Sequence, residues 1–97
     1  MNILRIGIII LIGIIITSCD ECKSYSDFSC KQISKADYNV YFYYSGGSEV
    51  YLGQTSSLES CGNSARSFAY SESVSSSNWG YICCMIANGS SCYEKHR

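Results

Sequence analysis

Cysteine is the residue that most constrains how this chain can fold. The 97-residue sequence contains seven cysteines and no proline. Such density in a short chain is typical of exported proteins, whose small cores are held by disulfides that form in an oxidising compartment. An odd number leaves one cysteine outside any internal pairing. The seven are Cys19, Cys22, Cys30, Cys61, Cys83, Cys84 and Cys92.

The first nineteen residues have the form of an export signal. Met1 and Arg5 supply positive charge, and an eleven-residue apolar run from Ile6 to Ile16 follows them. A transmembrane helix needs about 20 apolar residues, so the shorter run fits the core of a signal peptide better.

The residues Ile16-Thr17-Ser18-Cys19 resemble the lipobox of bacterial lipoproteins, which reads aliphatic, small, small, Cys. The resemblance implies cleavage before Cys19, a diacylglycerol thioether on its sulfur, and a lipid anchor in the cell envelope. The protein would then lie on the periplasmic face of the inner membrane or on the outer membrane. Two alternatives stay open, an ordinary cleaved signal that yields a secreted protein and an uncleaved anchor. Acylation of Cys19 also accounts for the odd cysteine number.

Length and charge limit what the mature chain can be. Removal of residues 1–18 leaves 79 residues, enough for one small domain. Without Arg5 the chain has six basic and eight acidic residues, a formal charge of −2. Because no basic stripe is present, nucleic acid is not an expected partner. We predict a signal peptide at 1–18, an anchor, tether and Cys22/Cys30 loop at 19–36, and a folded domain at 37–97.

The segment from Tyr38 to Gln54 predicts a β-hairpin, because aromatic and branched residues flank a Ser-Gly-Gly-Ser turn. A three-residue loop from Gly46 to Ser48 separates the side chains best. It places Val40, Phe42, Tyr44, Val50 and Leu52 on one face and Tyr41, Tyr43 and Tyr51 on the other.

The segment from Thr55 to Val74 predicts a helix. Ser56-Ser57-Leu58-Glu59 fits a capping box in which Ser56 caps the first amides and Glu59 reaches back. An apolar stripe follows at helical spacing. Its members are Leu58, Cys61, Ala65, Phe68 and Ala69.

A second hairpin is predicted from Trp79 to Tyr93, with Asn88-Gly89 as its turn and 94–97 as a charged tail. The expected fold is therefore α+β, with one helix packed on an antiparallel sheet built from two hairpins. Placing Ile82, Cys84 and Ile86 toward the core predicts the pairs Cys61–Cys84 and Cys83–Cys92, and the short loop predicts Cys22–Cys30. Fifteen connectivities are possible for six cysteines.

Little in the sequence points to catalysis. The single histidine, His96, stands next to the end of the chain, so a catalytic Cys–His pair is not expected. The Cys19-x-x-Cys22 pattern has no strand–helix context, and no other spacing suits a metal. We predict no cofactor, no metal site and no enzymatic activity.

Two functions from different classes follow. The first is a non-enzymatic envelope lipoprotein that binds or occludes a partner, an envelope protein or a glycan, through Tyr41, Tyr43 and Tyr51. The second is a thiol–disulfide active envelope protein that uses the Cys83-Cys84 region. The stretch from Trp79 to Arg97, with its Cys-Cys pair, resembles the ends of short bacterial secreted proteins, and this resemblance implies no particular activity.

Overall fold

A computed structural model describes residues 20–75 and 77–97. The predicted signal peptide and Cys19 lie outside the described residues. The chain divides into two units, one ending at Cys30 and the other beginning at Lys31. In the part that the structure describes, no helix is both long and apolar enough to cross a lipid bilayer.

The first unit contains the predicted short disulfide loop. Cys22 and Cys30 are bonded, with their Cα atoms 5.2 Å apart, which confirms this pair. A 3-10 helix, Glu21–Ser24, lies inside the loop, and the Cys30 amide donates to the Asp20 carboxylate over 3.2 Å. Helix α1, Cys30–Lys35, then begins at the second cysteine, so the segment is more ordered than the tether and loop that the sequence suggested.

The second unit is the predicted α+β fold. Its four antiparallel strands are β1 (Asp37–Tyr44), β2 (Glu49–Thr55), β3 (Trp79–Ile86) and β4 (Lys95–His96). They lie in the order β2-β1-β3-β4, and helix α2 (Leu58–Ser71) packs against β1, β2 and β3. The central strand β1 supplies the fully buried side chains of Tyr38, Val40 and Phe42.

The first hairpin has the predicted faces but a different register. Its three-residue loop is Ser45 to Gly47, not Gly46 to Ser48, because the Tyr44 amide donates to the Ser48 carbonyl over 3.0 Å. Gly47 takes the left-handed conformation (φ 92°) that glycine adopts without strain, which selects this position. Phe42 consequently pairs with Val50 instead of Leu52. This shift of two residues leaves the side chains from Tyr41 to Tyr51 on their predicted faces. Beyond Tyr41 the register shifts by one more residue at a bulge, since Val40 pairs with Gly53.

Helix α2 is shorter than predicted, and its cap lies one residue later. Ser57, not Ser56, is the N-cap, and its hydroxyl accepts the Ser60 amide over 3.0 Å. Strand β2 extends through Thr55, so Ser56 connects the strand to the helix and the cap falls on the next residue. The predicted stripe does face the sheet, since Cys61, Ala65 and Ala69 are buried.

Strand β3 presents the opposite face to the core from the one predicted. Cys83 and Met85 are buried beside β1, opposite Val40 and Tyr38, and Cys83 is bonded to Cys61 on helix α2. The larger residues decide the orientation, because Trp79 stacks on Phe42 with ring centroids 5.3 Å apart. The predicted pairs Cys61–Cys84 and Cys83–Cys92 are therefore wrong, and the observed pairs are Cys61–Cys83 and Cys84–Cys92.

The second hairpin turns where predicted but returns in a shifted register. Asn88 and Gly89 both have positive φ, 50° and 81°, and Ala87 bridges to Ser90 across them. The chain then bulges: the Met85 amide donates to the Glu94 carbonyl and the Met85 carbonyl accepts the Tyr93 amide, so two residues oppose one. Regular pairing resumes at β4, where Lys95 pairs with Cys84 and His96 with Cys83. Within the predicted charged tail at 94–97, Lys95 and His96 therefore form an edge strand.

Candidate binding surface

The face of the sheet opposite helix α2 carries the three tyrosines named from the sequence. Tyr41 pairs with Tyr51 on β2 and with Ile82 on β3, and Tyr43 pairs with Glu49. Tyr51 is 54% exposed, whereas Tyr41 and Tyr43 are half-buried. Together with Ile82, Glu49 and Lys95, they form what we call the outer tyrosine face.

Internal contacts hold the aromatic rings of this face in place. The Tyr41 and Tyr51 rings lie 5.3 Å apart at an interplanar angle of 43°. The Tyr51 hydroxyl donates to the Asn39 side-chain oxygen over 2.8 Å, and the Tyr43 hydroxyl donates to the Glu49 carboxylate over 2.7 Å. The hydrogen bond to Glu49, followed by desolvation, raises the pKa of Tyr43. Fixed rings lose little conformational entropy when a partner covers them.

A shallow depression of about 290 Å³ lies between β1 and the edge strand β4 on this face. Its lining includes one cation and one anion among apolar and aromatic side chains, and consists of Tyr41, Tyr43, Glu49, Ile82, Cys84 and Lys95. Tyrosine and isoleucine offer apolar contact area, and the hydroxyl and charged groups offer hydrogen bonds. This combination suits non-covalent recognition of another surface.

A second group of side chains surrounds the single histidine on the opposite face. His96 Nε2 lies 3.0 Å from a Glu94 carboxylate oxygen, and the His96 ring meets the edge of the Tyr38 ring with centroids 6.0 Å apart. The Tyr38 hydroxyl donates to the Ile33 carbonyl. Burial, and secondarily the charge of Glu94, raises the pKa of Tyr38 to about 12. This group could not be found from the sequence, because the pattern predicts a charged tail and not a strand at residues 94–97.

The chemistry of the histidine group is limited by what surrounds it. All six cysteines of the described residues are in disulfides, so none offers a thiolate to His96. Among residues 20–75 and 77–97, no three His, Cys, Asp or Glu side chains are placed to hold a metal ion. Tyr38, His96 and Glu94 join the central strand to the edge strand, and we interpret them as a structural contact.

Raising the pH should test the burial of Tyr38. An unfolded tyrosine ionises near pH 10, whereas folded Tyr38 stays neutral until about 12. The stability that this difference contributes is present below pH 10 and is lost as the pH rises toward 12, a loss of about 2–3 kcal/mol. Urea unfolding at pH values below 10 and near 12 measures it. Tyr38→Phe should show a smaller alkaline loss, with about 1 kcal/mol less stability at neutral pH because the Ile33 carbonyl loses its donor. Equal alkaline losses for the two proteins would contradict this assignment.

No protein-family model, curated protein or solved structure matches this chain.

Proposed function

We propose that this protein is a small lipid-anchored lipoprotein of the bacterial envelope that acts without catalysis, by binding or occluding a partner through its outer tyrosine face. The observation that carries the proposal is that face itself. Three tyrosines and Ile82 are gathered on the side of the sheet that helix α2 leaves uncovered. The partner is an envelope protein or a glycan, two classes of surface that tyrosine rings contact well.

The cysteines support the location. Three disulfides are typical of an oxidising compartment, which for a bacterial protein is the envelope or the exterior. They engage every cysteine except Cys19, which therefore remains for a different chemistry. Lipid attachment at the lipobox supplies that chemistry. A protein without the lipid would instead be secreted.

The buried sulfurs favour this proposal over the alternative, a thiol–disulfide active protein that uses the Cys83-Cys84 region. Exchange requires a thiolate to reach one sulfur of the disulfide. Cys83 is fully buried, and so is its partner Cys61 on helix α2. Cys84 is 5% exposed. Its partner Cys92 is half-buried, so an attacking thiol is excluded from the Cys61–Cys83 bond and has only a restricted approach to the Cys84–Cys92 bond.

Loss of the outer tyrosines should abolish partner capture. The variant Tyr41→Ser/Tyr43→Ser/Tyr51→Ser removes the rings but alters no cysteine. A tyrosine hot spot contributes about 2 kcal/mol or more, so even one of the three accounts for roughly a 30-fold loss of affinity. Cross-linked capture from envelope extracts, followed by quantitative mass spectrometry, compares each variant with the native protein.

The matched control is Tyr70→Ser, which removes a tyrosine that is 89% exposed on helix α2, on the other side of the sheet. It should capture the same partner as the native protein. Tyr51→Ser alone serves as a milder variant, because Tyr51 is more than half exposed on an edge strand. A folded triple variant that still captures the partner would refute the proposal, as would equal losses in the control.

A further inference from the structure

One edge of the sheet is open along half of strand β3. The second half of β3 is covered, because Cys83 pairs with His96 and Cys84 with Lys95 on β4. Strand β4 ends there. From Trp79 to Ile82, β3 has β1 on one side, and in the described part of the chain no strand lies on the other.

The direction of the backbone groups shows what this edge offers. The Met85 amide donates to the Glu94 carbonyl, and the Met85 carbonyl accepts the Tyr93 amide, so both groups of Met85 point toward β4. Backbone groups alternate in direction along a strand, so those of Tyr81 and Trp79 point the same way. Among the described residues, β4 pairs with Cys83 and Cys84 but with neither of these two, so Tyr81 presents an N–H and a C=O at the open edge. Such an edge is a template for another strand.

A depression of about 540 Å³ lies beside this edge and is basic. Its lining is Tyr81, Ile82, Lys95, His96 and Arg97. The side chains of Lys95 and Arg97 are exposed, and the Arg97 guanidinium lies 5.5 Å above the centre of the Tyr81 ring. The one carboxylate beside His96, that of Glu94, is engaged with the imidazole at 3.0 Å. Two exposed cations at this edge stand out in a chain whose formal charge is −1.

The charge also argues against a second copy of the chain at this edge. Two β3 edges joined antiparallel would bring Lys95 and Arg97 of both copies to one seam, where like charges repel. An acidic strand would place carboxylates there instead. Arg97 in particular offers the planar donor geometry that carboxylates match.

From these observations we infer that the open edge of β3, from Trp79 to Ile82, binds an extended acidic segment of a partner protein as an added strand. The backbone of that segment pairs with the N–H and C=O of Tyr81, and its carboxylates meet Lys95 and Arg97. Four strand residues span about 13 Å, which is the length of edge that β4 leaves uncovered. This mode of binding is β-augmentation. It shares Ile82 and Lys95 with the outer tyrosine face but does not depend on the three tyrosines.

Amide exchange measured by NMR tests the inference on the full-length protein in nonionic detergent. The probe is the synthetic peptide acetyl-Thr-Glu-Val-Glu-Val-Glu-amide, and its controls are the same sequence with Lys in place of Glu and an N-methylated copy that cannot pair. The acidic peptide should slow exchange of the Tyr81 amide at least tenfold and leave that of Ile82, which already faces β1, unchanged. It should bind at least tenfold more tightly than the Lys peptide, as followed by fluorescence of Trp79, the only tryptophan.

Two double variants distinguish an effect of the basic side chains at this edge from an effect of the net charge of the protein. Lys95→Glu/Arg97→Glu should invert the preference between the peptides. Lys31→Glu/Lys35→Glu makes the same charge change at exposed positions on helix α1 and should leave the preference as it is. Tyr51→Ser should also bind the peptide normally, so failure here is distinct from failure of the outer tyrosine face.

Three results would overturn the inference. The first is an unchanged Tyr81 amide at millimolar acidic peptide. The second is equal binding of the acidic, basic and N-methylated peptides. The third is protection of the Tyr81 amide that grows with protein concentration in the absence of peptide, which would assign the edge to a second copy of the chain.

Discussion

Replacing Cys61 and Cys83 together by alanine should lower the melting temperature by about 15 °C or more and leave little folded protein at 37 °C. The Cys61–Cys83 disulfide joins residues 22 apart in the sequence. Its loss frees a loop whose closure contributes roughly 3 kcal/mol to the free energy of unfolding. Both sulfurs are fully buried between helix α2 and strand β3, so their removal also leaves a cavity. A domain of this size has only about 5–10 kcal/mol of stability to lose. Circular dichroism melts of the double variant measure the effect.

The matched control is Cys22→Ala/Cys30→Ala, which removes a bond between residues only 8 apart. The shorter loop is worth roughly 1 kcal/mol less on entropy alone, and Cys30 is only half-buried, so less packing is lost. Double variants avoid the free thiols that single changes would leave behind. Equal melting temperatures for the two double variants would show that the Cys61–Cys83 bond does not hold the helix to the sheet.

The fold class could be predicted because hydrophobic alternation has a period of two in a strand. The first hairpin shows how robust that period is. Its loop lies one residue earlier than predicted, at Ser45 to Gly47, and the pairing therefore shifts by two. Since two is the period, Tyr41, Tyr43 and Tyr51 stay together on the outer face. That is why the three tyrosines could be placed on one face from the sequence, whereas Ile82, predicted to face the core, could not be placed beside them.

Strand β3 shows where the same reasoning fails. Both of its alternating sets are apolar, so alternation alone cannot decide which set faces the helix. Side-chain volume decides which set faces the helix, because the large Trp79 ring stacks on Phe42. Cys83, four residues after Trp79 and therefore on the same face, then meets Cys61. The wrong disulfide pairing follows directly from placing the set with the smaller side chains, Ile82, Cys84 and Ile86, toward the core. Weighting the alternation by side-chain volume would have selected the correct face.

The open edge could not be predicted from sequence. It depends on the strand order β2-β1-β3-β4 and on the bulge that precedes β4, which sets the register that places His96 opposite Cys83. The Asn88-Gly89 signal specifies a tight turn but says nothing of how the chain continues after it. Long-range pairing, and not local pattern, therefore determines which backbone groups of β3 stay available.

Changing Cys19 to serine should release the protein from membranes or leave it as an uncleaved precursor. The lipobox resemblance of Ile16 to Cys19 motivates the expectation, and the three disulfides add to it by engaging the six other cysteines. Two or more acyl chains give stable anchoring, whereas a chain without lipid and with formal charge −2 after cleavage has no comparable affinity for an anionic bilayer. Membrane fractionation shows the release, and mass spectrometry of the mature N-terminus shows the lipid on the native protein.

Thr17→Ser is the matched control, since it changes a neighbouring residue but keeps a small side chain before the cleavage site. It should be processed and anchored as the native protein is. The two variants together separate loss of the lipid from general damage to export, because damage to export would retain both as precursors. Normal cleavage with continued membrane association of the Cys19→Ser protein would refute the lipoprotein assignment. The chain would then be held at the membrane by something other than this sulfur, and the outer tyrosine face and the open edge of β3 would be the surfaces to test next.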